Sequence, residues 1–399
     1  MSMDKSIAAS MPQELIDAIA GQLHTDEDWC TLGSFGLVQR SWLPSSRHYL
    51  FSSVSLNSSN VDAFLEILTS PDCIMASYVR RLELQQEHGK LLNKFLPHGR
   101  PLSGVKALVI EELRWEDLIP EAEEILLSGF LGIKHLELYR PKFDSFGQFI
   151  SFVAEFSSLE LLSLIRGDWD EDYGGQSTSE VAEKAISPQL TTLKASVYSP
   201  CKGELVRWLL RSQPIPTINT IDLHDVSEDE APSIARLMQA LGPALQHLRL
   251  GFDIYNASDS LRQAFDLAQN TELRSICLDS DGWIYPGVIN VARCFPTILS
   301  TISSHTIEEI IICLEHPVFE SLELHEWEAM ALLFAAPRFS GLRSIHFRIF
   351  GLRGMDDRAL EVLIKERLGQ CASRGILSVE TGQSRGDRIM PAKLVPTTM

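Results

Sequence analysis

A short apolar phrase returns ten times along the chain: apolar, two residues, apolar, one residue, apolar. It occupies Val79–Leu84, Val105–Ile110, Ile133–Leu138, Leu159–Leu164, Leu190–Ala195, Ile218–Leu223, Leu245–Leu250, Leu273–Leu278, Ile307–Ile312 and Leu342–Phe347. With its middle apolar residue as anchor, the phrase falls at 82, 108, 136, 162, 193, 221, 248, 276, 310 and 345, so copies lie 26 to 35 residues apart. A phrase recurring at that period predicts stacked strand-plus-helix units, none able to bury its apolar face alone. Amphipathic stretches lie between the copies, at 143–156, 204–210, 229–241, 327–334 and 360–368, and predict helices. The expected fold is therefore α/β, a right-handed solenoid over residues 55–380 with one curved parallel sheet. Anchors face the helices and alternate strand positions line the concave side. Residues 381–399, rich in Gly, Pro, Thr and Arg and without periodicity, read as a flexible tail, as do residues 1–10.

Ahead of the repeats, residues 11–54 read as a compact helical module. Pro12 suits the first turn of a helix carrying Leu15, Ile16, Ile19 and Leu23 at helical spacing. Asp26 is the expected cap of a second helix from Glu27, with Gly33 and Gly36 loosening its end, and Pro44 suits the start of a third. Three helices this short make a marginal core, which implies a neighbour or a partner.

Composition narrows the function classes. The formal net charge is -18, nearly all of it between residues 52 and 380. Such a surface repels phosphate backbones and anionic headgroups, so nucleic acid and membranes are excluded as expected partners. Residues 1–10 lack the apolar core of a secretory leader, and no apolar stretch is long enough to span a bilayer. Seven scattered cysteines without a Cys-x-x-Cys pair fit reduced thiols in the cytosol or nucleus better than a disulfide or zinc framework.

Other chemistry is sparse. Concave-side positions mix aliphatic Val109, Leu161, Ile165 and Ile311 with basic Arg81, Lys194, Arg249 and Arg348. Outward aliphatic residues beside lone cations suggest a protein-binding patch formed by Ile165, Lys194, Arg249, Ile311 and Arg348, unless a loop covers them. His135, His224, His247 and His346 share that side but sit on different strands without ligand spacing, so they read as solvated polar positions, and no metal or other cofactor is expected. Asp168–Gly174 alternates carboxylates like a calcium loop, yet Tyr173 and Ser179 stand where the required Gly and Glu belong. His325-Glu326 lacks a second His, and neither a phosphate-cradling loop nor a Gly-x-Ser-x-Gly elbow occurs, so no enzyme activity is expected.

Met11-Pro12-Gln13-Glu14-Leu15, Ile19, Leu23, Leu32, Leu37-Val38-Gln39-Arg40-Ser41-Trp42 and Arg47-His48-Tyr49-Leu50-Phe51 together resemble an F-box. Met11 replaces the family's first Leu, Gln39 its Cys, and Gly36 a Cys or Ser. The repeats resemble an irregular leucine-rich array of the kind that often follows an F-box in fungi. The Asn that closes each phrase of that family is absent from all ten copies, which implies a less regular array. The resemblance implies the substrate receptor of a Skp-cullin-F-box ubiquitin ligase. Met11, Pro12, Leu15, Ile19, Leu37, Val38 and Trp42 would dock on a Skp-family adaptor and, through it, a cullin. The repeats would hold a client protein, and catalysis would be proximity supplied by the assembly. The alternative is an interaction scaffold that keeps an F-box without serving a ligase.

Overall fold

The structure is a computed structural model; it describes residues 11–26, 28–71, 73–85, 90–99, 102–169, 184–197, 201–253, 264–281, 294–315, 327–351 and 356–382. The described residues fall into two compact units, Met1–Glu160 with Gly167–Ser187, and Leu161–Arg166 with Pro188–Met399.

The first unit opens with helices α1 (Gln13–Thr25), α2 (Trp29–Val38) and α3 (Leu43–Leu50). Ile16, Ala20, Leu32, Phe35 and Trp42 form their shared core, with Met11, Leu23, Tyr49 and Leu50 packed partly against it. Pro44 lies in the first turn of α3, as its fixed φ and missing amide favour. Two expectations shift. The cap of α2 is Asp28, whose carboxylate accepts from the Thr31 amide at 3.0 Å, while Asp26 closes α1. Nor does α2 fray at its glycines. Gly36 is buried where a Cβ would stand 2.7 Å from Ser46 Oγ, and that hydroxyl donates to the Leu32 carbonyl at 2.7 Å. The missing side chain lets α3 press on α2.

Strands then alternate with helices: β1 (Ser53–Leu56), α4 (Val61–Thr69), β2 (Arg81–Gln85), α5 (Lys90–Phe95), β3 (Ala107–Glu111), α6 (Pro120–Ser128), β4 (His135–Tyr139), a two-residue β5 (Lys142–Phe143) and α7 (Phe146–Ala154). β1 to β4 pair in sequence order, all parallel, with Leu56, Leu84, Ile110 and Leu138 in one register row. β6 (Leu161–Trp169) divides between the units, and its end pairs with β5 through Phe143 and Trp169.

The second unit continues the alternation with β7 (Thr192–Val197), α8 (Cys201–Arg211), β8 (Thr220–Val226), α9 (Ala231–Leu241), β9 (His247–Asp253), β10 (Ser275–Asp281), α10 (Cys294–Ser300), β11 (Glu309–Glu315), α11 (Trp327–Phe334), β12 (Ser344–Phe350), α12 (Asp357–Arg367), α13 (Gly369–Ser373) and β13 (Leu377–Gly382). β7 to β13 are again parallel and in order. The anchors Leu193, Ile221, Leu248, Ile276, Ile310 and Ile345 align across the strands and are buried. All ten phrases are strands, and the fold class is that of a leucine-rich-repeat-like α/β array behind N-terminal helices. β1 and β13 add strands beyond the phrases; β13 takes Thr381 and Gly382 out of the expected tail.

Left-handed backbone recurs at one offset from the anchor in four repeats, just past β3 and β4 and within β6 and β8. Glu112, Arg140, Arg166 and Asp225 each stand four residues past an anchor with φ of 51–55°, the left-handed region that a side chain rarely enters. The reversed peptides pair with each other: the Glu112 amide donates to the Tyr139 carbonyl, Lys142 to Leu113, and Asp168 to Pro141. Main-chain hydrogen bonds thus satisfy polar groups at these positions.

Candidate protein-interaction sites

The helical module leaves large apolar side chains open. Leu15 and Ile19 on α1 and Leu37 and Val38 at the end of α2 are all exposed, Leu37 to 83%. Pro12 is exposed beside them, and Met11 is half-buried against the module's own core. Trp42, expected on the docking surface, is instead 7% exposed and packs against Phe35, the tilted rings 4.4 Å apart between centroids. Its indole belongs to the fold of the module. The difference follows from size, since the module needs one large ring to fill the space between three short helices. Trp29, the first residue of α2, is 44% exposed and joins the open residues.

In the second unit, register places Lys194, Asp222, Arg249, Cys277, Ile311, His346 and Ser378 in one row across β7–β13, on the side away from the anchors. Arg348 lies in the next row, opposite Cys313 and Glu380, and ion-pairs with Glu380 at 3.3 Å. Ile165, Lys194 and Arg348 are half-buried, as a usable contact surface permits. Arg249 and Ile311 are not open to solvent: they are 7% and 3% exposed. Val109 of the first unit is buried as well. Strand alternation correctly assigns these residues to the side away from the anchors, but that side is enclosed at β9–β11.

Arg249 shows why its position is structural. Its Nη2 donates to Asp279 Oδ2 at 2.7 Å, and its Nε lies 3.8 Å from Asp222 Oδ1. Burial alone would lower its pKa, but the neighbouring Cys277, Asp222 and Asp279 raise it further, so it stays a cation. Burial likewise pushes Asp222 up, and the hydrogen bond and charge of His224 with the charges of Arg249 and Lys194 bring it below the usual carboxylate range. Beside this network, Cys277 and Cys313 approach to 3.9 Å between sulfurs, and with Ile311 they form a separate small apolar cluster.

The four histidines do not converge. His224 meets Asp222 at 3.1 Å, His346 meets Glu309 at 3.5 Å, and His247 Nδ1 meets Ser275 Oγ at 2.8 Å. These three are partnered strand residues rather than freely solvated ones, and His135 is half-buried in the first unit. Among the described residues, the group with metal-ligating geometry is Cys277, Asp279 and Cys313, without a histidine. No Cys-x-x-Cys spacing announces it; the offsets one and three beyond the anchors at 276 and 310 would have. In the first unit Arg81 bridges Glu83 at 2.8 Å and Glu137 at 2.9 Å, tying β2 to β4 across β3. Burial and Glu137 push Tyr139 up to about 12. Of the acidic segment, Asp168 and Trp169 end β6, while 170–174 and Ser179 lie outside the described residues, as do His325 and Glu326.

No protein-family profile and no curated protein matches the chain. Among solved structures, similarity is found to the leucine-rich repeat-containing protein LegL7 from Legionella pneumophila, at 18% identity and a TM-score of 0.35 over 65% of this chain and 86% of that one. The leucine-rich-repeat protein LIC12759 of Leptospira interrogans is similar at 10% identity and a TM-score of 0.28, covering 83% and 88%. A sugar phosphate isomerase/epimerase from Parabacteroides distasonis follows at 9% identity and a TM-score of 0.22, covering 84% and 90%. At these scores none carries an argument; strand order and register define the fold. No helix of the described residues is long and apolar enough to cross a membrane.

Proposed function

We propose that this chain is the substrate-recognition subunit of a Skp-cullin-F-box type ubiquitin ligase, without catalytic residues of its own. The observation that carries the reading is the open apolar set Leu15, Ile19, Leu37 and Val38 on two packed helices whose own core is complete without them. Apolar side chains left outside a finished core are the material of a partner interface. Together with the order of F-box-like residues from Met11 to Phe51, they support docking on a Skp-family adaptor. Gly36, the departure that matters most for packing, has a role inside the module, where it admits Ser46. The repeats would present the client, with Ile165, Lys194 and Arg348 as the accessible members of the expected patch. The proposed setting is cytosolic or nuclear.

The test is adaptor binding by the full chain and by a Leu37→Asp/Val38→Asp variant. Both side chains are exposed, so thermal unfolding should be unchanged while affinity falls at least about a hundredfold, the scale of two interface anchors. Unchanged binding by the variant, or no binding by the unaltered chain, rejects the adaptor reading. In the latter case an interaction scaffold independent of any ligase takes its place.

A further inference from the structure

We propose that Cys277, Asp279 and Cys313 form a binding site for a thiophilic divalent cation of the zinc class. Cys277 and Asp279 are two residues apart on β10 and so share a side of the sheet. On β11, Ile311 pairs with Cys277 and Cys313 with Asp279, which brings the second thiol to the same side. One donor atom from each of the three residues lies within 4.8 Å of the others, and the sulfurs are 3.9 Å apart. Two thiolates on a tetrahedral ion, each about 2.3 Å from it, lie roughly 3.8 Å from one another. The pair therefore needs almost no movement to grip an ion.

A disulfide fits less well. The two cysteines are diagonal neighbours on adjacent strands, a relation that sets Cα atoms about 7–8 Å apart, beyond the usual disulfide span of about 4.4–6.8 Å.

Charge and burial point the same way. The three residues are 2%, 0% and 1% exposed, so ionised thiols here need a compensating cation close by. Arg249 is the cation in contact, and it is already engaged with Asp279 and Asp222. Two thiolates in addition would leave the pocket negative, and a divalent ion neutralises them. Soft sulfur donors select an ion such as zinc over magnesium or calcium. The 2.7 Å contact from Arg249 to Asp279 Oδ2 orients the carboxylate beside the sulfurs. Before an ion arrives, the hydrogen bond with Cys313 and the charge of Arg249 favour the Cys277 thiolate, while that same bond and burial push the Cys313 thiol well up. Loading must then expel thiol protons, so affinity rises with pH.

The experiment uses the full chain, stripped with a chelator, kept reduced and titrated with cobalt(II) as the probe. One equivalent should bind, with a thiolate-to-cobalt charge-transfer band and the visible bands of a tetrahedral site, both bleached by an equivalent of zinc. Asp279→Asn should weaken zinc binding by about tenfold or more. A Cys277→Ala/Cys313→Ala variant should lose the charge-transfer band, and Cys371→Ala should keep it. The proposal is overturned if the unaltered protein shows no such band, or if the folded double variant retains it. Should that variant not fold, alkylation of the unaltered protein during partial denaturation decides: zinc must slow labelling of Cys277 and Cys313 relative to Cys371, and equal rates with and without zinc overturn the site.

Discussion

Arg249 shows at the scale of one residue how position and environment separate. As a strand residue one place beyond an anchor it belongs to the face a client could touch, and its charge suggested a surface contact. Its neighbours decide otherwise, because Asp279 is fully buried and needs a cation, and the half-buried Asp222 stands on its other side. Removing one partner of a buried pair leaves the other charge uncompensated and costs about 3–5 kcal/mol. Arg249→Ala should lower stability on that scale, measured by denaturant unfolding; a loss below about 0.5 kcal/mol, the ordinary surface effect, would reject the assignment. Trp42 teaches the same lesson in the helical module, where a ring named by the F-box resemblance as a contact residue is core. Sequence spacing reports which side of an element a residue occupies. Whether that side meets solvent depends on what lies across from it, and this is long-range information.

Elements were far more legible than sites. Each strand begins two residues after its phrase does, because the first apolar residue of the phrase is buried in the turn that enters the strand. Val105 illustrates this: it is 1% exposed, and the two amides after it, on Lys106 and Ala107, both donate to the Arg80 carbonyl of the preceding repeat. β1 is harder to read because its copy of the phrase, Phe51–Leu56, has serine at every position between its apolar residues and shares Phe51 with the helical module, whereas β13 has Arg374 where the first apolar member belongs. β13 has a consequence that can be checked. It covers β12 along Ile345–Phe350, with the Gly351 amide donating to the Gly382 carbonyl at 2.9 Å. A chain ending at Ile376 would uncover that edge, and unpaired edge strands recruit one another. Such a truncation should melt at lower temperature and self-associate as concentration rises, read by sedimentation; a monomer of unchanged melting temperature would show that β13 protects nothing.

For the whole molecule, the formal charge of -18 makes acidification the natural probe, and two opposed effects must be weighed. Adding protons relieves repulsion among carboxylates, but only near their own pKa values, well below neutrality. Two histidines respond sooner, one in each compact unit. Burial is the main cause that lowers His135, with Arg81 and Lys134 adding to it against Glu160 and Glu137. Burial also lowers His247, helped by Arg274 and opposed by Glu309 and Glu308. In both cases the folded pKa lies below the unfolded value of about 6.5, so between the two the unfolded chain binds more protons. The stability these neutral rings contribute is complete above the unfolded pKa and declines as pH falls through 6.5 toward the folded values. Thermal unfolding followed from pH 7.5 to 5.5 should therefore shift to lower temperature before carboxylates titrate. His135→Gln and His247→Gln together should flatten that slope, each acting on its own unit. A melting temperature that rises over this interval in the unaltered protein would mean that relief of the acidic charge dominates, and that the two rings are not held neutral by burial.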